Sequence, residues 1–223
     1  MSTAAQLRDE GLALCRTKDF TGGETKLKEA LALDPNDGAT FEALIKVRGI
    51  QKDVAGAKGY YDKAIATDPT LAKPRHAYGL LAYNTGDFAE AKEVFRKLVE
   101  MNQKDAEAQF QLGNVYRKEN NNVEAVKHYN LAIDNAPTHA QAYNNLGLSL
   151  IQVDNFHDAI ASFRQSIELD PKNAKYRMNL ASALERVERW GEATTIWEHV
   201  LTLNLKPEDI DEAIKHLSEC KSR

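Results

Sequence analysis

Carboxamide side chains recur at a fixed interval in the C-terminal half of the sequence. Gln111, Asn145 and Asn179 follow one another at intervals of 34 residues. A carboxamide offers both a hydrogen-bond donor and an acceptor, so a row of them can pair with the backbone of an extended peptide of any sequence. We therefore interpret these residues as candidates for binding a peptide without transforming it chemically.

The sequence lacks the patterns that mark catalytic and metal-binding proteins. It contains no Gly-rich phosphate loop, no nucleophile elbow and no zinc-ligand spacing. His216 and Cys220 stand four residues apart, but two ligands are fewer than a stable metal site requires. We expect no enzyme activity, no metal and no cofactor.

The 34-residue interval extends over nearly the whole chain. Four of the six prolines, at positions 35, 69, 137 and 171, lie on it. A period of this length is typical of a solenoid, in which each repeat packs only on its neighbours. The interval divides about residues 4–206 into six repeats, which lie near 4–37, 38–71, 72–105, 106–139, 140–173 and 174–207.

Small and large residues alternate at fixed positions of each repeat. The eighth position is glycine in four of the six repeats. The twenty-fourth position is large in all of them, namely Leu27, Tyr61, Phe95, Tyr129, Phe163 and Trp197. Where two helices cross closely, one must carry a small residue so that a bulky side chain of the other can enter. Each repeat is thus predicted to be a pair of helices, and residues 207–223 to form a final capping helix.

Capping residues mark the start of the second helix of most repeats. Such a helix needs a side-chain acceptor at its N-cap and a permissive backbone in the turn before it. Gly86 and Asn120 suit the turn. The predicted N-cap residues are Asp19, Asp53, Asp87, Asn121 and Asn155.

The repeated positions resemble the tetratricopeptide repeat family. The fifth repeat carries its pattern in Tyr143, Leu146, Gly147, Leu150, Ala159, Phe163 and Pro171. The resemblance covers about residues 4–207. It implies an all-α, right-handed superhelical α-solenoid of antiparallel helix pairs, with about 13 helices, and a concave groove lined by the first helix of each pair.

The groove positions implied by the resemblance supply the candidate peptide-binding residues. They combine carboxamides and cations with apolar side chains that could accept a hydrophobic anchor. The candidates are Lys73, Tyr83, Phe110, Gln111, Asn114, Arg117, Lys118, Asn145, Lys175, Asn179 and Arg186.

Charge at the groove positions differs in sign from that of the chain. Over all six repeats these positions carry eight cations and four acids, whereas the whole chain has a net charge of −4. A basic groove favours an acidic ligand, because a cleft focuses the field of the charges that line it. The carboxylate clamp of chaperone-binding family members is incomplete in repeats 4 to 6, which lack two of its cations, so we do not expect chaperone tails to bind.

The leading hypothesis is a non-catalytic scaffold that binds an extended or helical, acidic segment of another protein in this groove. The alternative is a self-assembling scaffold whose homo-oligomers organise a multiprotein or organelle-associated complex, as in a magnetosome-associated member of the family.

Composition and sequence patterns also indicate whether the protein binds nucleic acid or membranes and where in the cell it is located. An isoelectric point near 5.9 argues against nucleic acid, which attracts basic surfaces. No apolar run is long enough to cross a membrane. The N-terminal residues are charged where a signal peptide is apolar, and the two cysteines lie at opposite ends of the repeats. We expect a cytoplasmic protein with no membrane insertion.

Overall fold

A computed structural model describes residues 2–203 and 205–223 of the chain. These residues form 13 α-helices and no β-strand, which confirms the predicted all-α class. The helices are α1 (Ala4–Arg16), α2 (Phe20–Leu33), α3 (Gly38–Ile50), α4 (Val54–Thr67), α5 (Ala72–Thr85), α6 (Phe88–Met101), α7 (Ala106–Lys118), α8 (Asn122–Asn135), α9 (Ala140–Gln152), α10 (Phe156–Leu169), α11 (Ala174–Arg186), α12 (Trp190–Val200) and α13 (Pro207–Lys221).

The helices belong to two compact units. The N-terminal unit ends at Gln103 and contains α1 to α6, and the C-terminal unit begins at Lys104 and contains α7 to α13. In each unit an odd-numbered helix packs against the helix that follows it, forming a hairpin. The odd-numbered helices also pack on one another, α1 and α5 on α3 in the first unit, and α7 and α11 on α9 in the second. They therefore form a continuous layer within each unit.

Glycine allows the two helices of a hairpin to approach closely. A Cβ atom on Gly147 of α9 would lie 2.6 Å from the ring of Phe163 on α10. One on Gly113 of α7 would lie 2.7 Å from the ring of Tyr129 on α8. Both rings are fully buried. Each ring therefore packs directly on helix backbone, which fixes the separation of the two helices.

The turn inside each hairpin has the same backbone conformation. A residue with positive φ, between 59° and 87°, occurs every 34 residues, at Lys18, Lys52, Gly86, Asn120, Asp154 and Glu188. The residue after it is the N-cap of the second helix. The five predicted N-cap side chains each accept a hydrogen bond from a backbone N–H three residues further on, as predicted. Arg189, the sixth N-cap, makes no such bond.

A buried carboxylate connects three helices of the N-terminal unit. Glu24 of α2 accepts hydrogen bonds at 2.6 Å from Arg48 of α3 and from Tyr60 of α4. Lys28 lies 2.8 Å from the same oxygen. Burial alone would raise the pKa of Glu24, but the hydrogen bonds from Lys28, Tyr60 and Arg48 outweigh it and lower the pKa to about 2. The folded unit therefore holds this group ionised.

Replacing Gly147 with alanine should destabilise the C-terminal unit. The new methyl group would meet the Phe163 ring, and overpacking of this kind costs about 1–3 kcal/mol. Gly191→Ala is the matched control, because a Cβ atom there meets nothing within 4 Å, and alanine should leave stability unchanged or raise it by up to about 1 kcal/mol. Urea denaturation followed by circular dichroism measures both. Equal stabilities of the two variants would contradict the close-approach model.

The Glu24→Gln variant should lose much of the acid sensitivity of the N-terminal unit. Because the folded pKa lies below the ordinary value of 4.5, the ionised group stabilises the fold above pH 4.5, and this contribution disappears as the pH falls from 4.5 towards 2. Urea denaturation at pH 6, 4 and 3 should therefore show a flatter pH profile for the variant than for the wild type. The exposed Glu29→Gln is the control, and parallel profiles for wild type and Glu24→Gln would refute the prediction.

Candidate functional site

The recurring carboxamides come together in the C-terminal unit. Gln111, Asn145 and Asn179 are each the sixth residue of α7, α9 and α11. Because these helices pack side by side, residues at equal positions occupy one layer. The interval in the sequence thus becomes a short distance in space.

Five carboxamides are joined by hydrogen bonds into one amide network, formed by Gln111, Asn114, Asn144, Asn145 and Asn179. Nδ2 of Asn179 donates to Oδ1 of Asn144 at 2.7 Å, and Nδ2 of Asn144 donates to Oδ1 of Asn145 at 3.2 Å. Nδ2 of Asn145 donates to Oδ1 of Asn114 at 2.8 Å, and Nδ2 of Asn114 donates to Oε1 of Gln111 at 3.1 Å. The amide network therefore runs from α11 through α9 to α7 with every amide oriented the same way.

A tyrosine on α8 sets that orientation. The buried hydroxyl of Tyr129 donates to Oδ1 of Asn114 at 2.7 Å, and the same oxygen accepts from Asn145. An atom that accepts two hydrogen bonds must be the oxygen of the amide, so the tyrosine fixes Asn114 and, through it, the amides that follow. At the other end Gln111 donates to Oε1 of Glu107 at 2.7 Å.

Part of the amide network borders a cavity of about 620 Å³, which we call the C-terminal cavity. It is lined by α9, α11 and α13 and by the turn before α11. The lining residues are Gln141, Asn144, Asn145, Leu148, Asn173, Lys175, Tyr176, Met178, Asn179, Ser182, Asp209 and Glu212. Three predicted site residues, Asn145, Lys175 and Asn179, are therefore brought together here.

Hydrogen-bonding capacity remains at the cavity edge. Asn144 and Asn145 are each only 7% exposed, whereas Asn179 is half-buried. Oδ1 of Asn179 accepts no hydrogen bond from any residue in the described part of the chain. The amide nitrogens of Asn144, Asn145 and Asn179 each use one of their two N–H groups within the amide network. A ligand in the cavity can use these remaining groups.

The charged residues that line the C-terminal cavity do not give the net positive charge expected from the groove positions of the repeats. Lys175 of α11 is cationic, but α13 contributes the carboxylates of Asp209 and Glu212. None of the three forms an ion pair within residues 2–203 and 205–223. The net positive charge expected from the groove positions of the repeats does not extend to this cavity, because the two acids of α13 lie outside the repeat interval.

A second carboxylate holds α13 against the last hairpin. Glu185 of α11 accepts a hydrogen bond from Nε1 of Trp197 at 2.6 Å and lies 3.0 Å from Nδ1 of His216. The Trp197 and His216 rings stack, with centroids 5.0 Å apart. Cys220 donates to the same carboxylate at 3.4 Å, and burial, together with this neighbour, raises its pKa to about 11. Both potential metal ligands of α13 are thus used in packing.

The structure corrects the assignment of Phe110 as an apolar anchor for a ligand. Its side chain is 3% exposed. The ring packs against His139, with centroids 4.5 Å apart, and against Tyr129 at 5.9 Å. Gln111 and Asn114 are buried as well, and they belong to the interior of the amide network rather than to the cavity wall.

The remaining predicted site residues lie outside the cavity lining. Arg117 places Nε 3.4 Å from the Tyr129 hydroxyl, while Lys118 and Arg186 are exposed on α7 and α11. In the N-terminal unit Lys73 is exposed on α5, and Tyr83 of the same helix packs its ring edge on Phe88 at 5.5 Å. A role of these five residues in binding stays a prediction.

Sequence reasoning missed three residues that matter at the cavity. Asn144 occupies the fifth position of its repeat, where the neighbouring repeats have Phe110 and Met178, so no repeated signal marks it. Asp209 and Glu212 follow the last repeat and share no interval with the groove positions.

The described residues contain no group of three or more His, Cys, Asp or Glu side chains placed to hold a metal ion. None of the described helices is long and apolar enough to span a lipid bilayer.

Comparisons with known proteins agree on one fold. A family model described as tetratricopeptide repeat matches residues 76–140, and a second with the same description matches residues 140–173. Among curated proteins, no relative with significant sequence similarity was found.

Several solved structures resemble this chain. PilF of Pseudomonas aeruginosa has a TM-score of 0.77 at 15% identity, over 98% of this chain and 96% of PilF. MamA of Desulfovibrio magneticus RS-1 has a TM-score of 0.68 at 21% identity, over 74% of this chain and 94% of the other. YrrB, described as a TPR protein with an unusual peptide-binding site, has a TM-score of 0.61 at 20% identity, over 82% and 92%. At these identities the likeness establishes the fold alone.

The amide network should behave as a coupled unit. Tyr129→Phe keeps the ring, and phenylalanine already occupies the equivalent position in repeats 3 and 5, so the variant should lose only about 1 kcal/mol for the missing hydrogen bond. Asn145→Ala leaves Asn114 with one donor fewer. Because both residues bond the same oxygen, the double variant should be non-additive by at least about 0.5 kcal/mol in the free energy of unfolding.

Urea denaturation of the wild type, the two single variants and the double variant measures this coupling. The control pair is Tyr129→Phe with Asn135→Ala, since Asn135 is exposed on α8 and bonds only the backbone of its own helix. Additive effects for Tyr129 and Asn145 would show that the tyrosine does not orient the amides.

Proposed function

Since the chain is a tetratricopeptide repeat protein, we propose that its C-terminal unit is a non-catalytic binding module for an extended segment of another protein. One observation carries this proposal. The amide network borders a cavity of about 620 Å³ and retains unpaired donors and acceptors there. Such a surface suits a ligand that presents alternating backbone N–H and C=O groups.

Backbone chemistry favours an extended over a helical ligand. In a helix the backbone groups already bond one another, so few remain for the side-chain amides of a partner. An extended segment leaves its N–H and C=O groups open on both edges. Asn144, Asn145 and Asn179, which line the cavity, are proposed to pair with such groups.

The chemistry of the cavity lining supports binding rather than catalysis. Half of its polar side chains are amides, which neither take up nor release protons near neutral pH. Burial raises the pKa of Tyr176, so its phenol stays protonated and is unsuited to act as a base. Lys175 and Asn179 instead offer hydrogen bonds that position a ligand without reacting with it.

The proposed ligand is acidic in the part that contacts the cationic side chains of the protein. Lys175 has its ammonium group unpaired among the residues that the structure describes, and an acidic side chain or a backbone carbonyl is its natural partner. Lys118 and Arg186, exposed on α7 and α11, are proposed to extend this cationic surface. The peptide-binding site named in the description of YrrB supports the assignment of a peptide as the ligand.

Self-assembly is the alternative function, and one observation favours it. Helix α13 exposes Ile210 and Ile214, which are 37% and 53% exposed. A second copy of the chain could cover this apolar face. Analytical ultracentrifugation across a dilution series tests the alternative, because the mass would rise with concentration in self-assembly and stay constant in a monomeric peptide-binding protein.

Peptide selection tests the proposed function. Dodecamers that bind the protein are selected from a random library displayed on phage, and their affinities are measured by calorimetry. Asn179→Ala should weaken binding about five- to tenfold, because one or two hydrogen bonds of about 0.5–1.5 kcal/mol are lost. Asn145→Ala combined with Asn179→Ala should weaken binding further.

The control is Asn135→Ala, which removes an exposed amide on α8 away from the cavity. Circular dichroism verifies that each variant keeps its helices. If no peptide is selected, or if Asn179→Ala binds the selected peptides as tightly as the control does, the cavity is not the binding site.

A further inference from the structure

The side of the C-terminal cavity formed by α13 has its own chemistry. Asp209 and Glu212 lie three residues apart, so they are neighbours on one face of the helix. Both line the cavity together with Asn179 of α11. The capping helix therefore does more than cover the last hairpin, since it supplies charge to the proposed binding site.

The position of these carboxylates is fixed by the packing of α13. Ala213, next to Glu212, is fully buried in the core of the C-terminal unit. Further along α13, His216 stacks on Trp197 and bonds Glu185. A charge carried on an anchored helix keeps its place when a ligand arrives, so less ordering entropy is lost on binding.

Neither carboxylate has an ion-pair partner in the part of the chain that the structure describes. Across residues 2–203 and 205–223 no cation lies within ion-pair distance of Asp209 or Glu212. Other acids of the same unit are paired, for example Glu192 with Arg164 at 2.8 Å. Lys175 also lines the cavity but leaves both carboxylates unneutralised, so the lining carries more negative than positive charge.

Three of the unpaired polar groups that line the cavity near α13 are acceptors, those of Asn179, Asp209 and Glu212. Oδ1 of Asn179 accepts no hydrogen bond among the described residues, and the two carboxylates can only accept hydrogen bonds when ionised. Guanidinium and ammonium groups are pure donors, and a guanidinium offers five N–H groups in a fixed plane that matches carboxylates. A cationic side chain therefore complements this side of the cavity in both charge and hydrogen bonding.

We propose that the peptide segment held by the C-terminal cavity carries an arginine or lysine side chain that pairs with Asp209 and Glu212. This inference rests on the proposed function, because the backbone of the same segment is bound by the amide network. It adds a rule of specificity, in which the amides hold any extended backbone and α13 selects segments with a positive charge at one position.

Three capped pentapeptides test the inference. They share the form acetyl-Ala-Ala-X-Ala-Ala-amide, with X as Arg, Gln or Glu. Binding is followed by nuclear magnetic resonance, through the side-chain amides of Asn144, Asn145 and Asn179 and the backbone amides of α13. All three peptides should shift the asparagine resonances, and the Arg peptide should bind about three- to tenfold more tightly than the Gln peptide, the range expected for two partly exposed ion pairs.

Charge-neutral variants test whether α13 is responsible. Asp209→Asn combined with Glu212→Gln should bring the affinity of the Arg peptide down to that of the Gln peptide. The matched control is Glu208→Gln combined with Asp211→Asn, which makes the same charge change on the same helix at exposed positions outside the cavity. The control should keep the advantage of the Arg peptide.

Each outcome separates this inference from the proposed function. Equal affinity for the Arg and Gln peptides, with asparagine shifts present, would overturn the cation site and keep backbone binding. If both double variants lose the preference for the Arg peptide over the Gln peptide equally, the cation site would also be overturned, because the preference would then come from the net charge of the protein. Failure of all three peptides to shift the asparagine resonances would overturn both proposals.

Discussion

The contact between a glycine of one helix and the aromatic ring of the next is the constraint on which the hairpins α7–α8 and α9–α10, which carry most of the carboxamides, depend. Gly113 and Gly147 leave no room for a side chain, so Tyr129 and Phe163 pack on bare backbone. This closeness fixes the distance between the two helices of a hairpin. Because the same spacing and the same left-handed turn recur every 34 residues, equal positions of α7, α9 and α11 fall into one layer. The row of carboxamides is a consequence of this regularity.

The carboxamides form a connected system rather than a row of independent groups. Three lie one repeat apart in the sequence, but in space they are joined through Asn114 and Asn144. A buried amide without partners would cost about 1–3 kcal/mol, so the interior members satisfy one another. The members at the cavity retain capacity for a ligand. One residue, Tyr129, serves both parts of the structure, since its ring fills the space left by Gly113 and its hydroxyl orients Asn114.

The last helix, α13, covers the end of the stacked hairpins and also contributes charged side chains to the C-terminal cavity. A stack of repeats must cover its final apolar face, and α13 does so through Ala213 and the contacts around Glu185. The same packing brings Asp209 and Glu212 to the cavity. The sign of the charge near α13 is therefore set by a segment that does not belong to the repeats, whereas Lys175 represents the basic character that the repeat positions predict.

The sequence by itself determined the helices, their pairing in hairpins and the N-caps of five second helices, because these depend on local spacing and on capping chemistry within a few residues. It also identified Asn145, Lys175 and Asn179, which the structure places at one cavity. Only the tertiary structure decided that Phe110 is buried, that Asn114 is bonded by Tyr129 and Asn145, and that the acids of α13 meet the carboxamides. Burial and hydrogen-bond pairing depend on side chains from different helices, and the partners of Asn114 lie 15 and 31 residues away from it in the sequence. The repeat interval also does not specify where a segment beyond the last repeat will pack.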